Sequence, residues 1–303
     1  MTNRQVGLIA ILFSISGYAL LPIFTRTIYE TTALRPTDLA IWRFIFATPA
    51  IWLVIYFREA LSSKPRKKRD SRGQILRMLS LGLLYTGATL SAFFGLNYIP
   101  ASLYVVLFYT YPVMVALISV FLGQKLHLMA WLAISLTLVG VILTVPDLSI
   151  AGENTILGLS IAVFNALVVA IYFVLISREM PKMSSGSRGA AYVITGTLII
   201  LLLLIPFFGL QFPQSPQAWG LLVAMAIWST AMPIFVVIVA IQYLGAAQAA
   251  IISTSEPIAT MILAMIILNE VVLPIQWLGA IFIILGVIVL EVRPKGKTST
   301  TIP

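Results

Sequence analysis

The chain has 303 residues, of which 60% are hydrophobic and only 10% charged, and its mean hydropathy is +1.04. A soluble fold with about a quarter of its residues charged is excluded, and the absence of cysteine with a single histidine removes disulfide frameworks, thiolate catalysis, haem attachment and nearly all zinc sites. The net charge of +9 raises nucleic acid or acidic lipid as partners, so the placement of the 19 basic residues decides its meaning.

A membrane helix needs about 20 apolar residues. Runs of that order fall at about 5–25, 37–57, 75–97, 100–122, 127–145, 154–177, 188–209, 217–243, 246–268 and 275–292, ten in all. The first contains Tyr18 and ends at Arg26 without a small-residue cleavage motif, so it reads as a retained span rather than a signal peptide. The second carries Arg43 about six residues, or about 9 Å, from its outer end. From there the guanidinium reaches outward, pairs with Asp38, or lines an outer vestibule and grips a carboxylate through its fork of donors. The third span holds Ser91 and the packing glycines Gly82, Gly87 and Gly95.

In the fourth, Tyr104, Phe108 and Tyr111 share one face at i, i+4, i+7 spacing, either as a cavity wall or as packing. The fifth follows His127, which reads as a solvated turn residue with no metal-spaced neighbour. The sixth contains Asn165, whose amide needs partners from a substrate or from neighbouring helices. The eighth contains Trp228. The ninth carries Ser253 and, near its middle, Glu256 followed by Pro257, which removes a backbone donor and loosens the preceding turn. A charge at the bilayer centre costs roughly 2.5–3.5 kcal/mol on insertion scales and usually faces a cavity or a partner. Glu256 therefore leads the candidates, to bind an ammonium, to exchange a proton, or as a hydrogen-bonded structural acid. The tail from Pro294 to Pro303 is short and polar and reads as disordered.

Numbering the turns from a cytoplasmic N-terminus, the even ones collect Lys64, Arg66, Lys67, Lys68, Arg69, Arg72, Lys125, Arg178, Lys182 and Arg188, and the tail adds Arg293, Lys295 and Lys297. The odd turns hold only Arg26 and Arg35. This bias places both termini in the cytoplasm and accounts for the positive charge without nucleic acid. The run KPRKKR at 64–69 fits an orientation determinant, with contact to anionic membrane lipid as the other reading.

The chain also repeats itself. Setting YIPASLYVVLFYTYP at 98–112 against YLGAAQAAIISTSEP at 243–257 pairs Tyr98 with Tyr243, Ala101 with Ala246 and Pro112 with Pro257. One residue further in shift, Trp131, Leu132, Gly140, Val141 and Ile142 match Trp277, Leu278, Gly286, Val287 and Ile288. The early spans match weakly, through Gly7, Leu8 and Phe13 against Gly158, Leu159 and Phe164. With five spans per copy the second copy enters from the opposite side, so the expectation is two inverted halves, 1–148 and 149–293, followed by the tail 294–303. Inverted repeats rocking about a midplane site are a recurrent transporter architecture. On this pairing Tyr104, Phe108 and Tyr111 face Ala249, Ser253 and Glu256, an aromatic wall against a small, polar one.

The segments EPIATMILAMIILNEVVLPIQWLGAIFIILGVIVL at 256–290 and YPVMVALISVFLGQKLHLMAWLAISLTLVGVIL at 111–143, with Trp42-Arg43-Phe44, resemble the drug/metabolite transporter superfamily and within it the EamA type. The resemblance covers essentially the whole chain. It implies an all-α membrane protein of ten helices in two inverted five-helix repeats, exporting or exchanging small organic solutes such as amino acids. One departure is Gly123-Gln124-Lys125 where the family usually has Gly-Glu-Arg; Glu270 keeps the acid in the second half.

The expected function is a secondary transporter of small metabolites in the plasma membrane, with amino acids or related zwitterions as the substrate class the resemblance suggests. Drug-like cations and nucleoside-type solutes fit nearly as well. The expected substrate-binding residues are Glu256, Tyr111, Arg43, Asn165, Tyr18, Phe108, Ser253 and Trp228, with no catalytic residue, cofactor or metal. No GxxxxGK[ST] loop is present to drive it with ATP. A membrane-embedded enzyme would need convergent catalytic groups, whereas Glu30, Asp38, Asp147, Glu153 and Glu270 are scattered singly over outer turns. A passive channel would need a repeated polar row, which no span carries.

Overall fold

The computed structural model describes residues 3–60, 70–123, 128–144, 153–233, 236, 240, 243, 252–253 and 255–291. The basic run at 64–69, the turn 124–127 with His127, Asp147, Ala249 and the tail 294–303 lie outside the described residues.

Hydrocarbon offers the backbone no hydrogen-bond partner, so a chain this apolar must satisfy its amides within helices. The described residues are all-helical: α1 (Asn3–Thr31), α2 (Pro36–Ala60), α3 (Arg72–Tyr98), α4 (Ala101–Phe108), α5 (Tyr111–Phe121), α6 (Leu128–Thr144), α7 (Glu153–Glu179), α8 (Gly186–Phe208), α9 (Pro216–Ala226), α10 (Glu256–Ile267) and α11 (Pro274–Glu291). A 3-10 turn, Met180–Lys182, follows α7, and a π turn, Ile227–Ala231, continues α9. By length and composition six segments can cross a membrane, Arg4–Thr31, Pro36–Ala60, Arg72–Tyr98, Ala101–Ile118, Asn154–Lys182 and Gly186–Phe208. The protein is a multi-pass membrane protein.

The fourth apolar run is not one helix, as its unbroken hydropathy suggests, but two. The first helix ends at Phe108 and the second starts at Tyr111, because Pro112 has no N–H to donate and its ring crowds the carbonyl four residues back. In the ninth run the same device starts α10 at Glu256 with Pro257 second. The two restarts share their geometry. Thr110 (φ −76°, ψ −13°) and Ser255 (φ −77°, ψ −9°) precede them, and each hydroxyl donates 2.8 Å to a carbonyl three residues back, Leu107 O and Ile252 O.

Side chains tie the turns into two ends. At one end Asp38 accepts from Arg35 Nε (2.8 Å) and from Gln211 N (3.0 Å), and Trp42 Nε1 donates to Gln211 O (2.9 Å). The Asp38 carboxylate raises the pKa of Arg35 above the ordinary guanidinium value, chiefly by this hydrogen bond. Glu270 caps α4 at the same kind of turn, accepting from Ala101 N (2.8 Å), Ser102 N (3.0 Å) and Ser102 Oγ (2.6 Å). The other end joins α2 and α3 to α7 and α8: Arg188 to Glu59, Arg77 to Glu179 (2.8 Å) and Ser184 to Asp70. A capping box of Ser71 and Gln74 opens α3 there.

Close crossings hold the helices. A Cβ on Gly82 would meet the Thr197 amide at 2.5 Å, and one on Gly196 would strike the Leu79 carbonyl, so α3 and α8 touch backbone to backbone. Helices α6 and α11 form a reciprocal seam. A Cβ on Gly140 would lie 2.6 Å from Gly279 O and from Ile283, and one on Gly286 would lie 2.8 Å from Ala133 O and against Thr137. Ala133, Thr137 and Gly140 stand 146 positions before Gly279, Ile283 and Gly286, so each helix presents the same surface to the other.

Candidate functional site

Two interrupted helices and one π turn leave non-helical backbone inside the bundle, where such backbone is tolerated only when buried in protein or beside a polar cavity. The charged and phenolic side chains gather at these interruptions. Tyr18 of α1 is the hub, within electrostatic reach of Arg43, Glu256, Tyr85 and Tyr111. Tyr85 of α3 neighbours Arg43, and Tyr109, in the α4–α5 break, hydrogen-bonds the Glu256 carboxylate.

An aromatic ribbon links the cation to the acid. Tyr85 packs on Phe44 (6.1 Å) and on Tyr172 of α7 (5.3 Å), and Tyr172 adjoins Phe173 (6.0 Å). Phe173 meets Tyr111 at 5.1 Å, and Tyr111 meets Phe108 (5.2 Å) and Tyr109 (6.1 Å).

Arg43 neither reaches outward nor pairs with Asp38, both of which were open on the sequence; Asp38 is taken by Arg35 and Gln211. The side chain turns into the bundle and only 6% of the residue is exposed. Its Nε donates to Thr230 Oγ1 at 2.8 Å, and its guanidinium carbon stands 5.3 Å from the Phe44 ring and 5.6 Å from the Phe93 ring. Among the described residues it has no carboxylate within 4 Å. Among the described residues the sealed side-chain polar atoms without partners are Arg26 Nε, Thr48 Oγ1, Ser229 Oγ and Thr260 Oγ1.

The remaining expected site residues divide. Tyr18, Tyr111 and Glu256 fall in the electrostatic cluster, Phe108 lies on its aromatic ribbon, and Ser253 sits three residues before Glu256, partly buried. Asn165 does not offer its amide to a cavity. Its Nδ2 donates to Ala88 O (2.5 Å) and Ser91 Oγ (2.7 Å), and its Oδ1 accepts from Tyr104 OH (2.8 Å). Trp228 points away from the cluster: it is 38% exposed and packs edge-on against the exposed Phe13 at 5.0 Å, as a lipid-facing pair does. A groove of about 750 Å³ bounded by Leu107, Phe121, Val141, Leu159 and Phe164 is distinct from the cluster, and among the described residues Ser160 is its one polar lining residue.

Sequence reading missed Tyr85, Tyr109, Tyr172, Phe173 and Thr230. Tyr109 lies off the i, i+4, i+7 stripe and reaches Glu256 from the α4–α5 break, and Thr230 sits in a π turn whose register no hydropathy pattern marks.

The sequence profile of the EamA-like transporter family matches residues 5–145 and again 156–292. The chain belongs to this family. It is a transporter, not an enzyme. Similar proteins include the uncharacterized transporter sll1319 of Synechocystis, 27% identical over 77% of this chain and 73% of that one. They also include the threonine/homoserine exporter RhtA of Escherichia coli K12, 27% identical over 77% of this chain and 78% of that one, and the uncharacterized transporter YcbK of Bacillus subtilis, 25% identical over 94% and 93%. A crystal structure 18% identical in sequence superposes on this EamA-like transporter with a TM-score of 0.62, covering 95% of this chain and 96% of that one, and shares its fold.

Proposed function

We propose that this EamA-like transporter is a secondary carrier that moves small zwitterionic metabolites, amino acids first among them, through a site between Arg43 and Glu256. The observation that carries this reading is the buried guanidinium of Arg43, which has no carboxylate partner within 4 Å among the described residues. A buried cation without a counter-ion is costly in hydrocarbon, and a substrate carboxylate is the group that relieves it. Glu256, beyond Tyr18, then receives the ammonium or a proton. The likeness to the threonine/homoserine exporter points to the same class.

The transport cycle is alternating access by two inverted halves. The matched helix restarts at Tyr111 and Glu256 and the reciprocal seam of α6 and α11 support that arrangement. The setting is the plasma membrane with both termini cytoplasmic, as the basic turns imply. The second reading, a flat drug-like or nucleoside-type solute, is favoured by the aromatic ribbon from Phe44 to Tyr111.

Counterflow of labelled L-threonine in proteoliposomes tests the proposal. Saturable counterflow is expected, with competition by other amino acids and poor competition by L-threoninol, which lacks the carboxylate. Arg43→Ala should weaken threonine binding more than threoninol binding. Competition by planar cations or nucleosides but not by amino acids would replace the zwitterion reading with the second one.

A further inference from the structure

We propose that Thr230, held out by the π turn Ile227–Ala231, is a positioning residue that aims the Arg43 guanidinium and thereby sets preference for carboxylate-bearing solutes. The inference rests on the zwitterion reading for its substrate class and on geometry for the rest.

A threonine hydroxyl has one proton and two lone pairs. Here the proton goes to Met225 O at 3.3 Å, five residues back, and a lone pair receives Arg43 Nε–H at 2.8 Å. The five-residue reach belongs to the π turn, in which Met232 N likewise bonds Ile227 O. In an uninterrupted α-helix the residue after the bulge would sit about 100° further round, so the widened turn is what brings this hydroxyl to α2. Thr230 is 2% exposed, so water does not compete for the hydroxyl.

The consequence for Arg43 is directional. A guanidinium grips a carboxylate either side-on, through Nε and one Nη, or end-on, through both Nη atoms. Thr230 occupies Nε, which closes the side-on edge. The Phe44 and Phe93 rings, 5.3 and 5.6 Å from the guanidinium carbon, restrict its swing. The end-on fork of the two Nη atoms is the edge that Thr230 leaves free, with Tyr18 and Tyr85 within electrostatic reach of the guanidinium.

The test uses the full chain with Thr230→Val, which keeps the shape and removes the hydroxyl, and Thr230→Ser, which keeps the hydroxyl. In proteoliposomes Thr230→Val should raise KM for L-threonine about tenfold, the size expected when a charge-assisted hydrogen bond is lost, with a smaller effect on kcat. KM for L-threoninol should stay within about twofold, and Thr230→Ser should restore threonine affinity. Equal losses for both solutes, or no rescue by a folded Thr230→Ser protein, would overturn the proposal.

A second measurement does not depend on the solute. In protein labelled with ¹⁵N-arginine, the Nε–H resonance missing from Arg43→Lys should be protected from solvent exchange in wild type and Thr230→Ser, and unprotected in Thr230→Val. Protection that survives in Thr230→Val overturns the positioning role. Loss of protection in a protein that transports no amino acid would retain the positioning role and reject the zwitterion reading alone.

Discussion

Asn165 and Glu256 are both polar side chains inside the bundle, and they use their hydrogen-bonding capacity in opposite ways. Asn165 commits both ends of its amide to Ala88, Ser91 and Tyr104, joining α7 to α3 and α4. Its replacement by alanine strands Tyr104 OH and removes the donor to Ala88 O and Ser91 Oγ, and should lower stability by about 1–2 kcal/mol, the range for interhelical hydrogen bonds in membranes. Thermal unfolding in detergent measures this, and an unchanged midpoint would count against the tie. Glu256 takes a hydrogen bond from the Tyr109 phenol and lies within electrostatic reach of Tyr18, the centre of the cluster. Glu256→Gln should abolish counterflow, or leave it without pH dependence, in a protein that still folds. Full transport with the wild-type pH profile would remove this carboxylate from the mechanism. Arg43 and Glu256 were legible in the sequence because charge in hydrocarbon is rare and expensive. Tyr18 and Tyr111 were also named, but Tyr85, Tyr109 and Tyr172 were not, since Tyr occurs as readily in interfacial belts and packing as in a binding site.

The helices were legible where hydropathy runs between turns, so α1, α2, α3, α7 and α8 begin and end within a few residues of their apolar segments, apart from the long C-terminal end of α1. Hydropathy is blind to changes within a run: the split of α4 from α5 and the π turn after α9 alter hydrogen-bond register without altering composition. Pro112 marked the first of these, but a proline inside an apolar run also fits an unbroken helix, as Pro22 and Pro49 do within α1 and α2. Glycine contacts give a test of the crossings. Gly196→Val drives a branched side chain into the Leu79 backbone and should cost more than the about 1–3 kcal/mol of ordinary overpacking. Gly73→Ala, at a position with nothing within 4 Å, should fold normally. Monodispersity on size exclusion separates the two, and an intact Gly196→Val protein would contradict the close crossing of α3 and α8.

At the scale of the molecule, the turns bearing Arg35, Gln211 and Glu270 and those bearing Asp70, Arg77 and Arg188 form separate sets of contacts. The chain has no cysteine, so single introduced thiols report sidedness without background. Gln214→Cys should react with a membrane-impermeant maleimide on intact cells, and Arg72→Cys only after permeabilisation. The reverse pattern would invert the orientation read from the basic turns. Where α6 and α11 meet, a glycine of each helix lies against the backbone of the other, with Ile283 and Thr137 packed beside them. In the alternating-access cycle proposed above, such a joint would serve as a fulcrum: leverage applied at one mouth of the molecule would be delivered to the other with the sense of motion reversed.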